Sequence, residues 1–313
     1  MPDLKKVIVE RNARSTTEKS REEFVKTSDE LSLFNEAQEL ERCMVAKIVT
    51  PHVRALELVS YDQEKNDLTT RTVPRGQSLF NRLWNETSII SRLLCRKIDD
   101  RVVLSRMQEI GEWLRLYHNS TECQEAGGQI SKNLQETYEE KVFYVRSHRL
   151  MDERLIDGFE RKVFPEIENL GDRRYQEENG IRVCRVHGDF VAYNMVADPE
   201  WNIYIADFAD THIGASTEDV GRFCELLYAV AKTSRKREGL FTEAVNVFLR
   251  AYGGSKEMPQ SPLFKAIRAY NVLLHLISEY HIRPYVMSQF FTRLELRRIS
   301  NASFRWLSME FAG

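Results

Sequence analysis

Residues 183–214 read VCRVHGDFVAYNMVADPEWNIYIADFADTHIG, and three side chains in this stretch stand out by type and spacing: Asp189, Asn194 and Asp207. Moving a phosphoryl group from a nucleoside triphosphate asks a protein chiefly for positioning and charge neutralisation. It needs a carboxylate to orient the attacking hydroxyl, hard oxygen ligands for Mg²⁺ and a cation on the phosphates. Asn194 offers an amide oxygen and Asp207 a carboxylate, the donor types magnesium prefers. Asp189 has the right chemistry to face an acceptor hydroxyl. An ordinary aspartate, with a pKa of about 3.9, is ionised at neutral pH, so its work is orientation, with proton acceptance late along the path.

Such side chains need elements that bring them together. NMVA and NIYIADF read as short strands, with DPEW between them as a turn in which Pro199 fixes φ at the second position. An antiparallel hairpin of this kind sets Asn194 at the start of one strand beside Asp207 at the end of the other. The next segment, STEDVGRFCELLYAVAK, places Val220, Phe223, Cys224 and Leu227 on one helical face, with Ser216 or Thr217 as cap.

Upstream, KKVIVER and EEFVKT predict two or three antiparallel strands ending at Lys26. SDELSLFNEAQELERCMVAKIV puts Leu33, Ala37, Leu40 and Met44 at helical spacing, with Ser28 as N-cap. Glu36 and Glu41 lie on opposite edges of that stripe, each roughly 70° from its centre, and Glu39 falls on the solvent side. RALELVSYD and LTTRTV predict two more strands around a QEKN turn. After PRGQ, SLFNRLWNETSIISRLL and VVLSRMQEIGEWLRLYH show long helical periods. The boundary therefore falls near Val73–Gly76, giving a lobe over 1–74 and a larger, mainly helical one over 75–313.

The 313 residues are 42% hydrophobic and 29% charged, an ordinary globular composition. MPDLKKVIVERNARS has no apolar leader core, and no apolar run approaches the roughly 20 residues that span a bilayer; the expectation is a cytoplasmic protein without a membrane span. The five cysteines, at 43, 95, 123, 184 and 224, form no CxxC pair and read as reduced thiols. The net charge of -2 hides an asymmetry: residues 232–313 hold 13 Lys or Arg against 6 Asp or Glu, a balance of +7, leaving -9 elsewhere. The arginines of TRLELRRISNASFRW, Arg293, Arg297 and Arg298, are a solvated face or touch an anionic acceptor. No basic strand platform with aromatics points to nucleic acid. His118, His212, His275 and His281 have no partners at ligand spacing. A dinuclear phosphoesterase would need further His and Asn-His sets, and GNH is nowhere in the chain.

H-G-D-x-x-x-x-N, from His187 to Asn194, followed by the Asp-Phe at 207 and 208, resembles the kinase catalytic loop and its D-F-G segment. Glycine at 188 and alanine at 209 point to the aminoglycoside phosphotransferase and choline kinase family. IGEWLRLYH at 110–118 is similar to the helix that ends in Leu-x-x-Leu-His in that family, and GASTEDVGRF to the segment whose aspartate, here Asp219, braces the catalytic loop.

The resemblance implies an α+β, protein-kinase-like fold of two lobes, a small antiparallel β lobe with one helix and a larger helical lobe. It implies an ATP-dependent phosphotransferase, with GTP as a possible donor, acting on an alcohol group. Asp189 and His187 fall in the catalytic loop, His187 more as a brace than as a proton shuttle, and Asn194 and Asp207 on Mg²⁺. Lys26 takes the place of the strand lysine that contacts the nucleotide phosphates. Among the candidate acids, the resemblance favours Glu36 as its helix partner. TRTVPRG resembles the hinge that meets adenine, with Thr72 and Val73 as contacts. Two features depart from the pattern: VERNARSTTEKSREEF contains no glycine, and Arg71 stands where an acid is usual. The acceptor expected is a small molecule lying between the catalytic loop and the C-terminal helices. The basic charge there suits a neutral or anionic sugar, glycan intermediate or related metabolite better than a polycationic aminoglycoside. The alternatives are a non-catalytic nucleotide-binding regulator and an atypical protein kinase.

Overall fold

Strand β3 (Glu23–Thr27) carries Lys26 into the middle of a five-stranded sheet, where Lys26 lies opposite Leu68 and Phe24 opposite Thr70. In the computed structural model, which describes residues 7–11, 16–19, 22–28, 33–86, 99–123, 127–233, 235–254, 257–282 and 290–311, this sheet runs β1 (Val7–Arg11), β2 (Thr16–Lys19), β3, β6 (Asp67–Arg71), β5 (Leu58–Asp62). Every neighbouring pair is antiparallel. The predicted QEKN turn joins β5 to β6. Residues 12–15, within the glycine-free stretch between β1 and β2, lie outside the described residues.

Helix α1 (Phe34–Val45) follows, and three details differ from the periodicity reading. Its cap position is Leu33, which supplies no side-chain bond; Ser28 lies well before the helix, with its carbonyl accepting from Asn66 Nδ2. Met44 is exposed, and Glu39 is buried along with Glu36, Ala37, Leu40 and Cys43. The inward face is therefore rotated toward the two glutamates, because both find buried partners.

RALELVSYD is also not one strand. β4 (Val53–Ala55) joins a second sheet, and the chain crosses to the first at Leu56 and Glu57: Leu56 N–H donates to Ile205 O at 2.8 Å, Arg71 N–H to Glu57 O at 2.9 Å. The second sheet is ordered β4, β10 (Ile203–Ile205), β9 (Met195–Ala197), β7 (Gln77–Ser78), with β4 and β10 parallel and the other pairs antiparallel. Helices α2 (Leu79–Glu86) and α3 (Asp100–Asn119) complete this part. α3 is capped by the Asp99 carboxylate on Arg101 N–H at 2.9 Å.

The chain divides into two compact units, Met1–Ser120 with His187–His212, and Thr121–Val186 with Ile213–Gly313. The second is helical: α4 (Gly127–Ser147), α5 (Glu153–Asn169), α6 (Arg173–Glu178), α7 (Thr217–Ala231), α8 (Arg235–Tyr252), α9 (Pro262–Ile282) and α10 (Phe290–Phe311). The paired strands β8 (Val183–Val186) and β11 (His212–Ala215) add a short sheet. Tyr138, Phe159, Val163, Leu273 and Phe311 form the centre of its core. Gly158 lets α5 approach the end of α10 so closely that a Cβ there would stand 2.0 Å from Phe311 O. At the start of α7 the predicted cap differs: Ser216 occupies the cap position, but its hydroxyl accepts from Arg182 N–H at 3.1 Å, and Glu218 accepts from Ala215 N–H at 2.7 Å. Cys43, Cys123, Cys184 and Cys224 are free thiols. Among the described residues no helix is long and apolar enough to cross a membrane.

Candidate active site

The hairpin forms where the sequence places it. Met195 pairs with Ile205 and Ala197 with Ile203, and residues 198–201 make the turn, Trp201 N–H donating to Asp198 O at 3.0 Å. The Asp198 carboxylate accepts from Glu200 N–H, Asn202 N–H and Asn202 Nδ2, so the turn satisfies its own donors. At the opposite end Ala206 N–H donates to Asn194 O at 2.9 Å, which sets Asn194 and Asp207 side by side. Asn194 closes a 3₁₀ turn, Ala192–Asn194. Asp207 is left-handed, φ 63°, a conformation that costs an ordinary residue roughly 1–2 kcal/mol and that Asp tolerates better than most.

The loop from His187 to Asn194 folds on itself. Asn194 Nδ2 donates to Asp189 Oδ2 at 2.8 Å and to Asp189 O at 3.0 Å. Since the amide nitrogen faces Asp189, the Asn194 Oδ1 is turned the other way. His187 is fully buried. Its Nε2 donates to Ala206 O at 3.0 Å, and its Nδ1 accepts from Asp189 N–H at 3.3 Å, a neutral tautomer with both nitrogens engaged. Its ring lies 4.6 Å from that of Phe208. Gly188, φ 79°, lets the loop lie against the Asp207–Asp210 segment: a Cβ there would sit 2.3 Å from Asp210 O.

Lys26 Nζ lies 2.8 Å from Glu36 Oε2 and 2.7 Å from Asp207 Oδ1. Burial opposes the charge on Lys26, but the Glu36 and Asp207 carboxylates outweigh it and hold the ammonium above its ordinary range. Burial pushes the Glu36 carboxyl up; Lys26 counters this, and the nearby Asp207 charge adds to it. Glu39 meets different partners, accepting from the Arg42 guanidinium and, at 3.3 Å, from the Tyr117 hydroxyl. Glu41 is exposed.

Thr72 and Val73 are buried after β6, with Thr72 N–H donating to Glu22 O at 2.8 Å and Gly76 N–H to Val73 O at 3.0 Å. Arg71 pairs in two-pronged fashion with Glu57, at 3.0 and 3.1 Å. Asp219 lies fully buried in the first turn of α7, in the other unit. His118 is buried and His212 exposed. Arg298 is exposed; the side chains of His281, Arg293 and Arg297 lie outside the described residues.

Solved structures that the chain resembles in fold include kinases and phosphotransferases of small molecules. A glucosamine kinase in complex with glucosamine, ADP and inorganic phosphate superposes with a TM-score of 0.63 at 12% identity, covering 94% of this chain and 79% of its own. A choline/ethanolamine kinase family protein from Mesorhizobium loti gives 0.52 at 13%, covering 96% and 94%. An ADP-bound aminoglycoside phosphotransferase, APH(2'')-Ib, gives 0.51 at 12%, covering 98% and 94%. The chain has the protein-kinase-like fold. Among the structures it resembles are an aminoglycoside phosphotransferase and a choline/ethanolamine kinase family protein, of the group that the H-G-D-x-x-x-x-N spacing also resembles. No family model and no curated protein matches the sequence.

Three buried residues at the turn end of the hairpin, Arg82, Arg106 and Glu109, had no place in the sequence-based expectations. Arg82 and Arg106 donate to the hairpin turn, and Glu109 binds Arg106. Their signal was faint. Arg106 and Glu109 are an i, i+3 pair flanking the apolar stripe of α3, a pattern equally common on solvated helices.

Proposed function

We propose that the protein is an ATP-dependent phosphotransferase, GTP being an alternative donor, that phosphorylates a hydroxyl of a small molecule. The observation that carries this reading is that Lys26, Glu36 and Asp207 meet within 3 Å contacts while Asp189 and Asn194 are tied to the same hairpin. Residues distant in sequence would hardly converge in this way for a mere turn-forming hairpin.

The donor set fits magnesium. The Asp207 side chain is 46% exposed, the Asn194 Oδ1 points away from Asp189, and both are hard oxygens. Among the described residues no three His, Cys, Asp or Glu cluster to hold a metal by themselves. A site of one carboxylate and one amide therefore leaves positions for phosphate oxygens and water, as magnesium sites in kinases require. Held by Asn194 and Asp207, the ion would neutralise charge on the triphosphate.

The chain's own residues have separable roles. Lys26 neutralises the nucleotide phosphates, and Glu36 keeps its ammonium in place. Asp189 accepts a hydrogen bond from the acceptor hydroxyl. As the acceptor oxygen forms its bond to the γ-phosphorus, the bond to the β–γ bridging oxygen breaks, ADP departs, and the hydroxyl proton passes to the Asp189 carboxylate. His187, with both ring nitrogens engaged by backbone, braces the loop. Thr72 and Val73 line the adenine end. The acceptor favoured is a neutral or anionic sugar, glycan intermediate or related metabolite.

The test is an ATP-consumption screen over sugars, amino alcohols, aminoglycosides and nucleosides, with Asp189→Asn alongside. Turnover on at least one acceptor is expected, falling by about 10²–10⁴ in Asp189→Asn while Mg-ATP binding is kept. Nucleotide binding lost in that variant would contradict an acceptor-side role.

A further inference from the structure

The hairpin that carries Asn194 and Asp207 is held by three residue pairs only, Met195 with Ile205, Val196 with Tyr204 and Ala197 with Ile203. A ribbon so short does not fix its own twist or tilt. Its tip is gripped instead. Arg82 on α2, 7% exposed, donates to the carbonyls of Asp198 and, at 2.9 Å, Pro199, with its guanidinium 4.0 Å above the Trp201 ring. Arg106 on α3, 9% exposed, donates through Nε to Trp201 O at 2.7 Å and through Nη1 to Glu109 Oε1 at 2.8 Å.

Glu109 extends the grip to the neighbouring strand. Its carboxylate accepts from His52 N–H at 2.7 Å, sits 2.9 Å from His52 Nδ1, and accepts from Thr50 Oγ1 at 3.2 Å. His52 O in turn accepts from Ile203 N–H at 2.7 Å, and β4 continues in parallel along β10 to Leu56 N–H on Ile205 O. The start of β10 is thus fixed twice through α3, once at Trp201 O by Arg106 and once at Ile203 N–H through His52 and Glu109. Asp207 lies two residues beyond the end of that strand.

Burying two guanidiniums is costly unless their donors are well matched, and a folded turn that already satisfies its own N–H groups does not need them for its local stability. What they add is direction. A strand of three residues spans about 10 Å, so a small rotation of the tip becomes a displacement of comparable size at Asp207 and Asn194. We propose that Arg82, Arg106 and Glu109 are positioning residues that set the spacing between the Asn194 amide oxygen and the Asp207 carboxylate, and so the affinity of the site for a divalent ion with nucleotide. This rests on the function proposed above and adds to it the residues that tune its metal requirement.

The test uses the full chain and mant-ADP, titrated with and without Mg²⁺, for the wild type, Arg82→Lys, Arg106→Lys and Glu109→Gln. Lysine keeps the charge but cannot reach two acceptors through a rigid fork. Each variant is expected to bind mant-ADP without metal within about twofold of the wild type, while the tightening caused by Mg²⁺ shrinks by about tenfold or more and saturates at higher Mg²⁺. An unchanged Mg²⁺ dependence in these variants overturns the proposal, and so does an equal loss of metal-free and metal-dependent affinity, which marks a purely structural role. A wild type whose nucleotide binding ignores Mg²⁺ refutes the phosphotransferase reading, and the clamp's role with it.

Discussion

With φ at +79° and the Asp210 carbonyl oxygen 2.3 Å from where a Cβ would sit, Gly188 lets the His187–Asn194 loop lie directly on the backbone that follows Asp207. Two separate costs meet there, and a second glycine separates them. Gly180 also has a positive φ, +63°, but nothing lies within 4 Å of its would-be Cβ. Gly180→Ala should therefore lose only the backbone preference, roughly 1–2 kcal/mol. Gly188→Ala carries that cost plus an overlap with main chain that cannot rotate away, about 1–3 kcal/mol more. It should also abolish turnover, because relief of the clash moves Asp189 or Asp207. Urea unfolding of both variants measures the difference, and equal losses would mean that the close approach is not held in solution. The H-G-D spacing was readable without any structure, since all its parts are local. The reason for its glycine was not, because the oxygen it avoids belongs to a residue 22 positions later.

Helix α1 faces inward with two glutamates rather than one, and each sees a different environment. Glu36 meets an ammonium shared with Asp207, whereas Glu39 meets a guanidinium and a phenol. Hydrophobic periodicity counts every glutamate as a solvent residue. Apart from Arg42, one turn on in α1, their partners come from β3 and α3, so the stripe predicted on Leu33, Ala37, Leu40 and Met44 was right in part and misplaced toward Met44. The same limit explains why RALELVSYD read as a single strand: its break is made by pairing with β10, about 150 positions away in the sequence. The hairpin and its turn, by contrast, were legible because Pro199 and the alternation are local. A pH prediction follows from the Glu36 environment. Its carboxyl is raised above the ordinary range by burial, so the folded state holds that proton more tightly than the unfolded chain. The associated stability is fully present below the unfolded value near 4.5 and is lost as pH rises through the folded one. Lys26, held above its usual range, stays charged throughout. Glu36→Gln removes this titration. The melting temperature of the wild type minus that of Glu36→Gln should therefore grow as pH is lowered from neutral toward 4.5. A difference that shrinks on acidification would show that Lys26 stabilises the carboxylate by more than burial costs it.

Charge is distributed unevenly along the chain. Residues 232–313 carry a surplus of +7 against -9 for the rest. Lys232 with Glu238, Arg250 with Glu243 and Lys265 with Glu310 are pairs within that segment, and each consumes one charge of either sign, leaving the surplus intact. Arg268 alone among these is neutralised from outside, by the buried Glu225, and its guanidinium also lies 3.8 Å from the Trp306 ring. It is therefore part of the helical core rather than of a binding face. For the anionic acceptor proposed above, attraction to a positive segment would be screened over about 8–10 Å at physiological salt, and for a polycation repulsion would be screened likewise. For an anionic acceptor, kcat/KM should fall steadily from low to high ionic strength, with the loss in KM and little change in kcat. For an aminoglycoside it should stay level or rise as repulsion is screened. Replacing Arg293, Arg297 and Arg298 together by glutamine should raise the KM of the anionic acceptor and flatten its salt dependence. A kcat/KM for that acceptor indifferent to both salt and the triple substitution would remove the basic segment from acceptor selection and return the question to the immediate surroundings of Asp189.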